Sequence, residues 1–268
     1  KQDIQTVSGV AITNKQALIR DTDNKVLDVV GTDWNPVQNA DAFEFFSEYV
    51  LAGDMEMHTA GSLFDGNKIW ALAKVKESFT ILGDDQVDSY LLFSNPHKYG
   101  AAIDVRFTPI RVVCNNTLSM SISSSSKNAV KVGHRTEFNP DMVKEQLGIA
   151  HSKFAQYKEV AQFLASKKFS VDAMLEFYSS VFPGTNKEVK TVSDLSRPAT
   201  QAYEVLETQP GAEYGAGTFW QLINSVTYHI DHNHGRTTDR RLDSAWFGTN
   251  AKRKNQAMDK AIELANAA

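Results

Sequence analysis

Apolar residues change their spacing once along this chain, near Pro140. Before it they come in short runs broken by Asp, Asn, Gly and Pro, the pattern of strands joined by turns. After it they recur every three or four residues, the spacing of a helix face. Strands are expected over residues 7–12, 16–20 and 26–30, followed by a helix over 39–53. Asp65-Gly66-Asn67 predicts a tight hairpin between 57–64 and 68–75, because Asp-Gly tolerates positive φ. A longer loop, 95–100, joins 89–94 to 101–107, and Pro109 marks a strand start or an edge before 110–113. Asn116 or Thr117 is placed to cap a helix, the serines of 121–126 read as a loop, and 129–138 as one more strand. Helices are expected over 142–167, 171–182, 197–207, 218–228 and 250–265, with Pro183-Gly184 stopping the second and 185–195 a polar connection.

Strands followed by helices, without βαβ alternation, argue for an α+β fold. The expected architecture is an antiparallel β-meander in the first half packed with a largely helical second half. A β-rich part, 1–138, with one helix and a helical part, 139–268, are expected to form one continuous globular unit, and 268 residues suffice to bury a sizeable core. The single cysteine, Cys114, excludes an internal disulfide framework, and its flanks Arg111-Val112-Val113 read as the end of a buried strand holding an inert thiol. No run approaches the ~18 apolar residues of a membrane span, and no charged-then-apolar leader opens the chain. A soluble, cytoplasmic protein of an infected or host bacterial cell, with no membrane partner, is the expectation.

The net charge of −4 conceals an asymmetry. Residues 1–100 carry 8 Lys and Arg against 15 Asp and Glu, whereas 228–260 carry 7 against 4. Such separation points to a polarised surface with a basic face toward an anionic partner. That basic stretch is also the chemically densest. Tyr228-His229-Ile230-Asp231-His232-Asn233-His234 gathers three imidazoles and a carboxylate, so His229, Asp231, His232 and His234 are candidate ligands for a possible divalent metal cofactor. Neither the zincin pattern nor a cysteine partner accompanies them. Arg236, Arg240, Arg241, Lys252, Arg253 and Lys254 follow, and guanidinium groups grip phosphates bidentately. Tyr228, Trp246 and Phe247 lie among them and could stack on bases or pack in the core. Walker, Rossmann, nucleophile-elbow and kinase signatures are absent. The glycine-rich 211–218 reads as a flexible entry to a helix, and Asp84-Asp85 as turn residues.

Four separated segments carry a resemblance. They are Val26–Phe43 with its Gly31-Thr-Asp-Trp-Asn-Pro36 core, Arg111-Val-Val-Cys-Asn-Asn-Thr-Leu118, Gly217-Thr-Phe-Trp-Gln-Leu-Ile-Asn-Ser-Val-Thr-Tyr228 and Ala245-Trp-Phe-Gly248. In order and over most of the chain they resemble the phage- and plasmid-borne proteins catalogued as domain of unknown function 932. The resemblance implies a mobile-element context and leaves the activity open. Its pattern keeps Tyr228 and an Asp-His pair, matched here by Asp231 and His232, so His229 and His234 are weaker candidates for a family-wide role. The leading expectation is a nucleic-acid-binding protein, with DNA the expected partner. It would bind or anneal single strands in replication or recombination and form a homo-oligomer. Arg111, Lys131 and Arg135 from the strands would supply phosphate contacts together with Arg236, Arg240, Arg241 and Lys252–Lys254. Tyr228, Asp231 and His232 would line the site. The alternatives are a metal-dependent nuclease built on Asp231 and His232, and a module that binds host proteins through its acidic first hundred residues.

Overall fold

A computed structural model describes residues 1–43, 51, 53, 55–117, 129–136, 154–185 and 188–268. It shows an α+β protein with antiparallel strands in the first half and helices in the second. A three-stranded sheet, β1 (Gln2–Gln5), β2 (Ala11–Arg20) and β3 (Lys25–Gly31), runs in sequence order. The second sheet contains β4 (Met55–Leu63), β5 (Lys68–Thr80), β6 (Gln86–Pro96), β7 (Ala102–Arg111) and the two-residue β8 (Asn116–Thr117) in that order, with β9 (Ala129–Gly133) pairing β7. The described helices are α1 (154–166), α2 (Val171–Val181), α3 (Arg197–Glu204), α4 (Phe219–Tyr228), α5 (Thr238–Trp246) and α6 (Thr249–Ala267).

Turn chemistry accounts for the strand boundaries. At the predicted hairpin, Phe64, Asp65 and Gly66 all take positive φ (54°, 54° and 83°) and Asn67 N–H donates to the Phe64 carbonyl, so β4 and β5 pair from Leu63↔Lys68 onward. The first expected strand is displaced. Residues 6–10 form the turn between β1 and β2, with Gly9 at φ 84° and Val7 fully exposed. Beside that turn Gln5 pairs with Ala11 and Ile4 with Ile12, and beyond a bulge Asp3 pairs with Gln16 and Gln2 with Ala17. Pro109 lies inside β7 rather than at its start. It falls between residues 102–106, which pair β9, and 110–111, which pair β8, where no ladder bond to either strand is needed. Asn116 and Thr117 are not a helix cap; Asn115 turns the chain at φ 51° and they pair back on Ile110 and Arg111 as β8. Of the helix expected over 39–53, residues 39–43 and 51 are described as helical and 53 as a turn. The loop 121–126 and the start of the helix expected at 142 lie outside the described residues.

Close contacts group the chain into two compact units. The first comprises Lys1–Lys76, Tyr90–Phe107 and Ala129–Gly148. There Leu18, Val30 and Trp34 form a buried cluster, and the Trp34 indole stacks on His134 at 4.1 Å. The second unit comprises Glu77–Ser89, Thr108–Asn128 and Ile149–Ala268. Its centre is α4, buried on every side from Phe219 to Thr227. A helix without a solvent face must satisfy its polar side chains internally. Asn224 donates to the Trp220 carbonyl, Thr227 to the Asn224 carbonyl, and Ser225 meets the Tyr178 hydroxyl at 2.7 Å.

The deepest charges of this unit are Asp85 and Arg111, 0% and 1% exposed. Arg111 grips Asp85 with Nε and Nη2 at 2.6 and 2.9 Å, and the Trp220 indole N–H donates to the same carboxylate at 2.8 Å. Nη2 and Nη1 also reach the Gly211 and Pro210 carbonyls. Gly211 sits at φ 75°, and a Cβ there would lie 2.7 Å from Val113 and 2.9 Å from Arg111 Nη2, so only glycine fits. Asp85 is therefore a buried ion-pair partner and not a plain turn residue. Truncating one member strands the other charge. We predict that Asp85→Ala lowers unfolding free energy by about 3–5 kcal/mol in urea titration; a loss below about 1 kcal/mol would mean that the pair behaves like a surface one.

Candidate functional site

The basic stretch begins where α4 ends. The helix passes directly into a π-turn, His229–Asn233, closed by a His234 N–H to His229 carbonyl bond of 2.8 Å. Such i→i+5 turns insert one residue into a helix, re-aim the side chains after it, and are frequent at functional sites. Asp231, 7% exposed, accepts from the Thr117 backbone N–H at 2.8 Å and from the Thr117 hydroxyl at 2.9 Å through Oδ2. Its Oδ1 accepts from Lys254 Nζ at 2.5 Å. Lys254, 2% exposed, also donates to the Thr117 carbonyl and hydroxyl at 2.9 and 2.6 Å. Three sequence-distant elements, β8, the π-turn and α6, are thus tied through one carboxylate and one ammonium whose hydrogen-bonding capacity is used internally. His232 adds a ring nitrogen 3.0 Å from the Cys114 carbonyl, and its ring lies 4.6 Å from that of Tyr228.

This arrangement divides the residues expected to act together. Asp231 and Lys254 are structural, as is Arg111, and in this structure none offers a free donor face to a phosphate. Lys131 and Arg135 are exposed but belong to the first unit, Lys131 lying 4.0 Å from Asp104 and Arg135 donating to Asp33 at 2.8 Å. Cys114 is buried as expected, and burial pushes its thiol pKa up. The metal candidates are not brought to a common point. With Asp231 committed to Lys254 and His232 to a carbonyl, no group of three or more His, Cys, Asp or Glu among the described residues could hold a metal ion.

What remains is a set of cations without counterions. Arg236, Arg240 and Lys252 are exposed, and Arg241 and Arg253 half-buried. Among the described residues none of the five takes part in an ion pair, although the chain carries four more acidic than basic groups. They lie on consecutive elements that pack together, α5 against both the π-turn and α6. The Thr237 hydroxyl caps α5 by accepting from Arg240 N–H, holding that turn in place. Tyr228, Trp246 and Phe247 are all half-buried, between the core and base-stacking expectations.

His229 is the residue the spacing argument undervalued. It is 1% exposed, neither ring nitrogen has a hydrogen-bond partner, and burial together with the nearby His234 and Arg253 brings its pKa down to about 4. Folding therefore favours the neutral ring over the unfolded chain's ordinary value near 6.5. The associated stability is fully present above pH ~6.5 and is lost as pH falls toward about 4. His97, His134 and His234 are lowered in the same direction by burial and act with the same sign. We predict a melting temperature that falls steadily between pH 6.5 and 4, and less steeply for His229→Phe; parallel slopes for the two proteins would contradict this assignment.

Among the described residues no helix is long and apolar enough to cross a membrane. No curated protein and no solved structure shows significant similarity to the chain. One family profile does, over residues 26–258, which takes in β3, the Arg111 pair, α4, the π-turn and the start of α6. The chain belongs to the family described as Domain of unknown function (DUF932).

Proposed function

We propose that this is a nucleic-acid-binding protein of a phage or other mobile element, holding the phosphate backbone of single-stranded DNA on Arg236, Arg240 and Lys252. The observation that carries the reading is the row of cations on the π-turn exit, α5 and the start of α6 that have no counterion among the described residues. In the same unit Arg111, Lys190, Lys254 and Lys260 each face a carboxylate, while among the described residues Lys158, Lys168 and Arg197 also lack one but stand apart from this row in sequence. Concentrating unneutralised positive charge costs self-repulsion, which an anionic partner relieves. Counterion release from the bound strand would supply most of the affinity, so binding is expected to depend steeply on salt. The half-exposed Tyr228–His232 ring pair beside these cations offers a stacking surface that bases on a single strand can reach and paired bases cannot.

Salt titration of oligothymidylate binding tests the reading. Each phosphate contact on a single strand contributes ~0.7 to the slope of log Kobs against log salt, so the Arg236→Gln/Arg240→Gln/Lys252→Gln protein should lose about 2 from that slope. Its melting temperature should equal or exceed that of the wild type, because none of the three is buried and removing them relieves their mutual repulsion. No binding by the wild type at low salt, or an unchanged slope in the variant, overturns the proposal.

A further inference from the structure

Beside the exposed cations, a smaller cluster is short of an anion. The His229 and His234 rings lie 5.2 Å apart, and the Phe182 ring stands at 5.8 Å from the first and 6.4 Å from the second. The Arg253 guanidinium sits over Phe182 at 5.1 Å and donates through Nη1 to Asn250 Oδ1 at 2.7 Å. The charges acting on the two imidazoles are all of like sign: His234 and Arg253 on His229, and Arg253 on His234. Asp231, the nearest carboxylate in sequence, is spent on Lys254 and Thr117. Among the described residues no carboxylate pairs with His229, His234 or Arg253. Buried polar groups nearly always find a partner, and leaving one unsatisfied costs ~1–3 kcal/mol. Both ring nitrogens of His229 are nevertheless unpaired.

The missing partner has a definite chemistry. A divalent cation would meet the Arg253 charge and would lack a third ligand. An anion would meet three groups able to donate. A phosphodiester offers one charge and two free oxygens, whereas a phosphomonoester carries ~1.5–2 charges near pH 7 and three strong acceptor oxygens. We propose that His229, His234 and Arg253 form a seat for a phosphomonoester, such as the phosphorylated end of a nucleic-acid strand. The half-exposed Arg253 and His234 make the first contacts, and His229 behind them donates its free ring N–H. The assignment to a strand end rests on the nucleic-acid reading above; the seat itself does not.

Two measurements separate the seat from that reading. In the first, histidine ring resonances are followed by NMR while inorganic phosphate is added at constant ionic strength. The His229 and His234 signals should move saturably in the wild type and about tenfold less tightly in Arg253→Gln and His234→Asn, each of which removes a half-exposed group and should leave melting unchanged. In the second, 5′-phosphorylated and 5′-hydroxyl oligothymidylates of equal length are compared, and the phosphorylated strand should bind about tenfold tighter. Resonances that ignore phosphate overturn the seat even if both strands bind. Saturable shifts with zinc and none with phosphate overturn it in favour of a metal. Shifts with phosphate and no binding of either strand support the seat and refute the nucleic-acid reading. Equal binding of the two strands overturns the strand-end assignment.

Discussion

The contact between Lys254 and Asp231, made over Thr117, is the constraint on which the basic stretch depends. An ammonium and a carboxylate withdrawn from water are stable only when paired and otherwise fully hydrogen-bonded. Here Lys254 uses three donations, and Asp231 accepts at both oxygens. Satisfying them fixes β8, the π-turn and the first turns of α6 against one another. That in turn decides which neighbouring side chains face water. The residues one and two positions before Lys254 point elsewhere, because successive helix positions turn by about 100°. Arg253 reaches Phe182 and Asn250, and Lys252 is exposed.

Arg111, Asp85 and Trp220 form a second buried tie in the same unit. Both ties join residues far apart in sequence, and both leave a strand end packed on α4 or its continuation. Basic side chains here therefore fall into two groups. Arg111 and Lys254 hold the fold through buried carboxylates, and among the described residues Arg236, Arg240, Arg241, Lys252 and Arg253 have none. The π-turn links the groups, since Asp231 belongs to the first while His229 and His234, two and three positions away, lie beside Arg253, which has no carboxylate partner among the described residues.

Much of the fold was legible because it is set locally. Asp65-Gly66 dictates its hairpin, and Pro183-Gly184 ends α2 near Val181. The buried stripe of α6 was legible too: Asn250, Lys254, Ala257, Met258, Ala261 and Ala265 recur at helical spacing. Its place on that stripe sets Lys254 apart from Lys252 and Arg253, a distinction that charge alone does not carry. Asp85 and Arg111 could not be paired from sequence, because 26 positions separate them and each has an ordinary surface reading alone. Thr117 is ambiguous in sequence for a similar reason. Hydroxyl residues cap helices and also hydrogen-bond inside cores, and only the arrival of Asp231 and Lys254 decides between the two. The histidines invited a metal by spacing, but the π-turn re-phases them, and Asp231 is taken by a stronger partner.

Position on α6, rather than charge, sets the buried Lys254 apart from the exposed Lys252, which we propose meets the phosphate backbone. Comparing Lys254→Met with Lys252→Met, in one experiment measuring both melting temperature and oligothymidylate affinity at low salt, tests it directly. The account predicts that Lys254→Met melts well below the wild type, through loss of a buried partner worth about 3–5 kcal/mol. Lys252→Met should melt with the wild type and bind more weakly. A Lys254→Met protein that keeps its stability, or a Lys252→Met protein that keeps its affinity, would contradict it.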